Sequence, residues 1–310
     1  GKKEKLPSLR GVVWNSHLKR TYPENSLASN ILGFYSFMDR EHGIGYYGVE
    51  EYYDDLLAGS PMETFMPRNP YLLKELPEVP AGASLVLTVD REIQAMVERK
   101  LDEAVKEHEA ISGTVIIMDP RNGEILAMTS QPRVDINQYW KFEDQFKDNT
   151  PYNRAISETY EPGSVFKILT MAAAFDAGTV DEKTIFNDPG RLVYGGSTIY
   201  NWNRRGWGRQ TMQGCMQHSL NVCLAWVATE LGKEDFYDYL QAFGIGQRTN
   251  VDLGGEKIWP LSTPEDLDWY PIQLATNSFG QGVAVTPIQL ASAVTAVAND
   301  GKLMKPHILK

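Results

Sequence analysis

The chain has 310 residues, 42% of them hydrophobic, with a formal net charge of −10 and a pI of about 5.1. That length buries a full core and fits one large domain with a smaller one attached. The acidic balance is a poor match for a nucleic-acid phosphate backbone, and the scattered Lys and Arg argue against a polybasic membrane patch. No run of eighteen apolar residues occurs and no signal peptide stands at Gly1, so any membrane anchor is expected outside these residues.

Residues 1 to about 80 are polar, rich in Tyr and Gly, and lack a sustained period. The segment 43–55 reads as a loop running into a short helix or strand. Pro70, Pro77, Pro80 and Gly82 mark a linker or domain edge. Regular structure is predicted from a strand over 84–89, followed by Asp90 as the cap of a helix with Ile93, Val97, Leu101 and Ala104 on one face. Two apolar runs, 114–118 and 124–128, flank a turn containing Asn122-Gly123 and predict a β-hairpin. The almost uniformly apolar stretch 164–178 predicts a buried helix closed by Gly178. Further helices are expected over 222–231, 234–242 and 287–299. Strands first, helices in the middle and an antiparallel hairpin point to an α+β domain. Cys215 and Cys223 lie in helix-like sequence around a short break. A regular helix would hold them roughly 12 Å apart along its axis, too far for a disulfide, so two buried thiols are expected.

Chemistry concentrates first at Glu161-Pro162-Gly163-Ser164-Val165-Phe166-Lys167. Pro and Gly force a turn, which puts Ser164 at a helix N-terminus where backbone N–H groups favour negative charge on its oxygen. Lys167 follows one turn later among Phe166, Ile168 and Leu169, where desolvation lowers the pKa of an ammonium. A serine beside such an amine is an activated nucleophile. The competing reading is a plain N-cap serine with a first-turn lysine reaching solvent. His218-Ser219-Leu220-Asn221 precedes an apolar helix. Ser219 and Asn221 act together only if they lie in a break before it, and either residue could equally be an N-cap. The stretch Phe279-Gly280-Gln281-Gly282 reads as a flexible loop feeding a helix that starts at Thr286-Pro287. Five dispersed histidines, without His-Glu-x-x-His or Cys-x-x-Cys, make zinc improbable. Gly244-Ile245-Gly246 lacks the context of a dinucleotide fold, and no Gly-x-Ser-x-Gly elbow occurs.

Taken in order, these segments resemble the penicillin-binding protein family. Ser164-Val165-Phe166-Lys167 in its Glu-Pro-Gly setting matches the Ser-x-x-Lys motif, and Ser219-Leu220-Asn221 matches Ser-x-Asn. The stretches from Asn201-Trp202 to Gly208, from Phe243 to Asp252 and from Gly280 to Gln289 are similar in order and spacing. Upstream, Arg10-Gly11-Val12-Val13, the run from Tyr22 to Ala28 and the run from Gly48 to Tyr53 resemble the non-catalytic pedestal of class B members. The resemblance implies an α+β penicillin-binding/serine β-lactamase-like transpeptidase domain over 81–310, an antiparallel sheet flanked by helices. A smaller, incomplete pedestal region of the dimerisation type would occupy 1–80. The implied activity is a serine D,D-transpeptidase that cross-links peptidoglycan through an acyl-enzyme.

Ser164 would be its nucleophile and Lys167 the base. Ser219 would relay the proton, Asn221 would hold the peptide amide, and Gly280, Gln281 and Gly282 would bind substrate. No cofactor and no metal is implied. The implied partners are peptidoglycan stem peptides, β-lactams and a membrane glycosyltransferase of the RodA/FtsW type, not nucleic acid. The implied place is the extracytoplasmic face of the bacterial cell membrane, with an N-terminal transmembrane anchor outside this sequence. A penicillin sensor or β-lactamase of the same fold, or a non-catalytic scaffold for the glycosyltransferase, are the alternatives. Two departures stand out. The third motif, Lys-Thr-Gly or Lys-Ser-Gly, normally follows the helix corresponding to 287–299 and does not occur here. Val13 runs directly into Trp14 where the pedestal has a long head insertion, and 59–80 is short, so the chain is expected to be ordered segments joined together or cut.

Overall fold

A computed structural model describes residues 20–37, 43–59, 81–146 and 151–310, with the backbone alone over 142–146. Arg10 to Val13, the Val13–Trp14 junction and nearly all of 59–80 lie outside the described residues. In chain order the first elements are α1 (Ser29–Leu32), β1 (Phe34–Ser36), β2 (Ile44–Tyr46), α2 (Gly48–Tyr52) and α3 (Asp54–Leu57). Next come α4 (Arg91–Glu107), β3 (Gly113–Met118), β4 (Ile125–Gln131), α5 (Arg154–Ser157) and α6 (Lys167–Asp176). They are followed by β5 (Ile185–Asp188), β6 (Arg191–Tyr194), β7 (Ser197–Tyr200), β8 (Gly208–Thr211), α7 (Met212–Gln217) and α8 (Asn221–Leu231). The last are α9 (Lys233–Ala242), α10 (Ile272–Asn277) and α11 (Pro287–Ala298).

The predicted hairpin forms as β3 antiparallel to β4, running from Gly113 opposite Gln131 to Met118 opposite Ile125. The Asp90 carboxylate caps α4 by accepting from Glu92 N (2.9 Å) and Ile93 N (3.0 Å). The buried face of α4 is Gln94, Val97, Glu98 and Leu101; Ile93 is half-buried and Ala104 exposed, which corrects the predicted stripe. Gln94 earns its burial by hydrogen bonding. Its amide donates to Met128 O (2.9 Å) and accepts from Met128 N (2.9 Å), completing the edge of β4. The predicted strand over 84–89 is also corrected. Among the described residues its backbone bonds with a neighbour are limited to Thr88 N to Ile308 O and Lys310 N to Val86 O, so only a single bridge, Leu87 to Leu309, forms.

The described residues ahead of α4 share core with later ones. Ile31 and Val49 share a core with Ile125, Met128, Ile288 and Ile308, and buried Asn30 donates to Tyr152 O and accepts from Ser130 N. The main core is helical: Phe166 and Leu169 at the start of α6 pack against Ala228 and Leu231 of α8, Phe236 and Leu240 of α9, Leu274 of α10 and Ala293 of α11. Burying two large side chains at the head of α6, each worth roughly 1.5–3 kcal/mol, fixes where that helix begins. The two hairpins β6–β7 and β5–β8 lie against α8. Gly195-Gly196 is the two-residue turn of the first hairpin. Among the described residues no helix is long and apolar enough to cross a membrane.

Candidate active site

The turn ahead of α6 is locked by a second loop. Tyr160 and Val285 exchange both backbone hydrogen bonds (3.0 Å each), the Glu161 carboxylate accepts from Gly282 N (2.9 Å), and Gly163 N donates to Gly280 O (2.9 Å). Gly163 has φ 61° and Gly280 φ 77°. A Cβ on Gly280 would lie 2.2 Å from Gly163 O, so this close approach requires glycine. Beneath the loop, buried Asn277, with its amide oriented to satisfy every neighbour, donates to Gln281 O (2.9 Å) and accepts from the Tyr237 hydroxyl (3.0 Å). The structure thus sets Gly280 and Gly282 against the segment that presents Ser164, and leaves Gln281 exposed.

From that anchor a 3-10 turn, Gly163–Phe166, leads into α6. It exposes Ser164 and half of Val165, and buries Phe166 and Lys167 completely. The Lys167 ammonium donates to Ser219 O (2.8 Å), Ser219 Oγ (2.9 Å) and Asn221 Oδ1 (2.8 Å). Among the described residues no carboxylate pairs with it. Burial without a counter-ion pushes its pKa down to about 8. As an ammonium, Lys167 fills all three acceptors. As a neutral amine it has two hydrogens and a lone pair, so one of the three contacts must be given up or, at the single hydroxyl, Ser219 Oγ, reverse its direction.

The break that brings Ser219 and Asn221 to this amine is a helix C-cap. Ser219 N donates to Met216 O (3.1 Å) and Leu220 N to Cys215 O (2.9 Å), the paired bonds of a Schellman motif, with Ser219 at φ 52° where glycine is usual. Leu220, fully buried, then starts α8. The reversal also corrects the expectation of two free thiols. It brings the Cα atoms of Cys215 and Cys223 to 6.0 Å, and they form a disulfide across the motif. The helical spacing argument fails because the break is a full change of direction between two helices. Ser219 and Asn221 therefore share one target through a turn rather than through an extended segment.

Sequence reasoning missed the groups that hold this second turn. Buried Asn201 accepts from Val222 N (3.1 Å) and donates to Asp188 Oδ2 (2.7 Å). Asn221 Nδ2 donates to Tyr200 O (3.2 Å). Asn201 stood in a stretch already singled out, yet an isolated Asn carries no signal of burial. Lys167, Ser219 and Asn221 meet at one amine in the helical turn that follows exposed Ser164, while Gly280 and Gly282 bond to the segment just before it.

A buried, uncompensated lysine one turn behind an exposed serine, shared with a Ser-x-Asn turn, matches the Ser-x-x-Lys and Ser-x-Asn motifs of the penicillin-recognising fold. The comparisons agree: the family described as "Penicillin binding protein transpeptidase domain" matches residues 113–310. Stage V sporulation protein D of Bacillus subtilis is 37% identical over all of this chain and 48% of its own length. The peptidoglycan D,D-transpeptidase FtsI of Escherichia coli is 31% identical over 97% of this chain and 49% of its own. A crystal structure of penicillin binding protein 3 from Mycobacterium tuberculosis, complexed with aztreonam, superposes with a TM-score of 0.80 at 31% identity, covering 94% of this chain and 61% of that one. The chain belongs to the penicillin-binding protein transpeptidase family, among the class B members. It spans about half the length of the curated relatives it matches.

Proposed function

We propose that the full-length protein is a peptidoglycan cross-linking D,D-transpeptidase with Ser164 as its nucleophile and a target of β-lactams. The observation that carries this reading is the Lys167 amine, buried without a carboxylate and held by Ser219 and Asn221 at the base of the turn that exposes Ser164. Neutral Lys167 takes the Ser164 Oγ proton as that oxygen attacks the carbonyl between two D-Ala residues. The Ser164 N–H, at the head of a helix, donates to the oxyanion. The C–N bond then breaks, and the proton passes from Lys167 through the Ser219 hydroxyl to the leaving D-Ala amine. Asn221 holds the substrate amide, and the rim formed by Gly280, Gln281 and Gly282 borders the bound chain. An amine from a neighbouring stem then attacks the ester, displaces Ser164 Oγ and returns a proton to it.

Residues 81–310 form the transpeptidase domain in this reading, and 1–80 belong to a pedestal. The protein works on the extracytoplasmic face of the membrane beside a membrane glycosyltransferase. What supports this placement is the resemblance to class B members and the names of the relatives. The test is labelling of the full-length protein with a fluorescent penicillin, with the adduct mapped to a peptide by mass spectrometry. A stable adduct on the peptide containing Ser164 is expected. Rapid loss of the adduct would instead mark a β-lactamase. Absence of any adduct, with glycosyltransferase binding retained, would mark a scaffold.

A further inference from the structure

The hairpin lobe beside Asn221 carries a charge opposite to that of the chain. Between Ile185 and Thr211 stand Arg191, Arg204, Arg205 and Arg209, all exposed, in a chain of net charge −10. The one carboxylate in that stretch, Asp188, is buried and taken up by Gly190 N, Asn201 Nδ2 and Trp207 N. Among the described residues none of the four guanidiniums has an ion-pair partner. Exposed arginines on so acidic a protein ordinarily find carboxylates, so four free ones on one lobe form a local cationic field.

The lobe is fixed to the site. Tyr200 accepts from Asn221 Nδ2 through its carbonyl, while the Arg204 guanidinium stacks on its ring, 5.4 Å from the centroid. Arg191 stands opposite Tyr200 in the β6–β7 ladder. Arg204 takes φ 57°, a conformation unfavourable for a residue with a side chain, in a turn closed by its own N–H to Asn201 O (2.9 Å). The result is a guanidinium held by its backbone and by the ring of the same residue, Tyr200, whose carbonyl accepts from the amide facing Lys167.

We infer that the Arg204 and Arg205 lobe, with Arg191 behind it, is a subsite for the side-chain carboxylates of an acidic peptide substrate bound at Asn221. This deepens the proposed transpeptidase reading and rests on it. A bound carboxylate would meet planar donors already desolvated on one side by Tyr200. A long polyanion fits less well, because the arginines are confined to residues 191–209 while the rest of the chain is acidic and would repel it.

The test uses the full-length protein and two acyl-D-Ala-D-Ala peptides of one length, one with free side-chain carboxylates and one with carboxamides in their place. The initial rate of D-Ala release is measured for each. In the wild type the carboxylate peptide is preferred at low salt, and Arg204→Gln/Arg205→Gln lowers that preference by about three- to tenfold and flattens its salt dependence. Arg99→Gln/Lys106→Gln, which removes two charges from α4, leaves the preference at the wild-type value. An unchanged preference in the Arg204/Arg205 variant, or an equal fall in both variants, overturns the subsite. If the wild type releases no D-Ala from either peptide, the transpeptidase reading fails separately. The subsite is then judged by fluorescence anisotropy with the same labelled peptides, where a retained preference in the Arg204/Arg205 variant overturns it and a lost one supports it. Loss of binding to inorganic polyphosphate with an unchanged peptide preference would assign the lobe to a polyanion and also overturn it.

Discussion

The turn that exposes Ser164 and the turn that carries Ser219 and Asn221 meet at a single amine, yet they are held by different kinds of force. The first uses backbone freedom: Pro162, Gly163 at φ 61°, and Gly280 at φ 77° pressed against it from another loop. The second contains no glycine. Ser219 itself takes the left-handed conformation, at a cost of about 1 kcal/mol, and is kept there by a Schellman cap, a disulfide, the Lys167 amine and, one residue on, Asn201. The first turn is thus favoured by its own residues and locked by one neighbouring loop. The second is made by its neighbours and forms only once they are folded, and in the proposed reading it carries the groups that handle the proton.

The largest expected effect removes the meeting point. Lys167→Ala is expected to lower the rate of fluorescent-penicillin labelling by about 10²–10⁴-fold, the range for loss of a positioned base. Labelling at the wild-type rate would break the link between the two turns. Next, Gly280→Ala attacks the first turn from behind. Its Cβ would meet Gly163 O at 2.2 Å in a backbone region that already disfavours a side chain. A loss of about 2–4 kcal/mol is expected from strain and overpacking together, read from the midpoint of urea unfolding. Cys215→Ala/Cys223→Ala attacks the second turn. Closing a loop of eight residues corresponds to about 2–3 kcal/mol in the chain-entropy treatment, and unfolding of the purified double variant measures it. A double variant as stable as the wild type would show that the Schellman cap and Asn201 hold the second turn unaided.

These same forces explain what was legible beforehand. The Glu-Pro-Gly-Ser turn, the Asn-Gly hairpin of β3 and β4, the Asp90 cap and the helix behind Thr286-Pro287 are written in adjacent residues whose backbone preferences act locally. Thr286 and Gln289 even complete a reciprocal capping box. The second turn was legible only as a break, because Ser219 at φ 52° has no local cause. The disulfide went unseen because its geometry depends on the direction α8 takes after Leu220. Hairpins β5–β8 and β6–β7 are short and mostly exposed, so their alternation is faint apart from the Gly195-Gly196 turn. The strand expected over 84–89 failed for the opposite reason: the residues suit a strand, but among the described residues only Val86 and Thr88 find backbone partners across from them, at Lys310 and Ile308.

A smaller effect tests the amine itself. Burial lowers Lys167 to about 8, so below that pH most of the protein carries the charged, non-basic form. The second-order labelling rate is expected to rise about tenfold per pH unit between 6 and 7 and to level off above 8. A rate independent of pH across that window would remove Lys167 from the role of base. The stability contribution has its own sign. The unfolded chain keeps its proton up to the ordinary value of 10.5 while the folded chain gives it up near 8. Stability from this group is therefore at its lowest below pH 8 and rises between 8 and 10.5.

The finest discrimination lies between two glycines of one loop contact. Gly163 and Gly280 both have positive φ, but a Cβ on Gly163 meets nothing within 4 Å, whereas one on Gly280 meets backbone. Gly163→Ala is therefore expected to cost only the conformational term, about 1 kcal/mol, in the urea midpoint. Ser219→Gly has the reverse balance. It relieves a similar strain at φ 52° but removes the hydroxyl that accepts from Lys167 and frees the unfolded chain, so a net change within about 1 kcal/mol of zero is expected. If Gly163→Ala cost as much as Gly280→Ala, the close approach between the two loops would not be what holds Ser164. The first turn would then rest on its own backbone conformation rather than on the loop pressed against it.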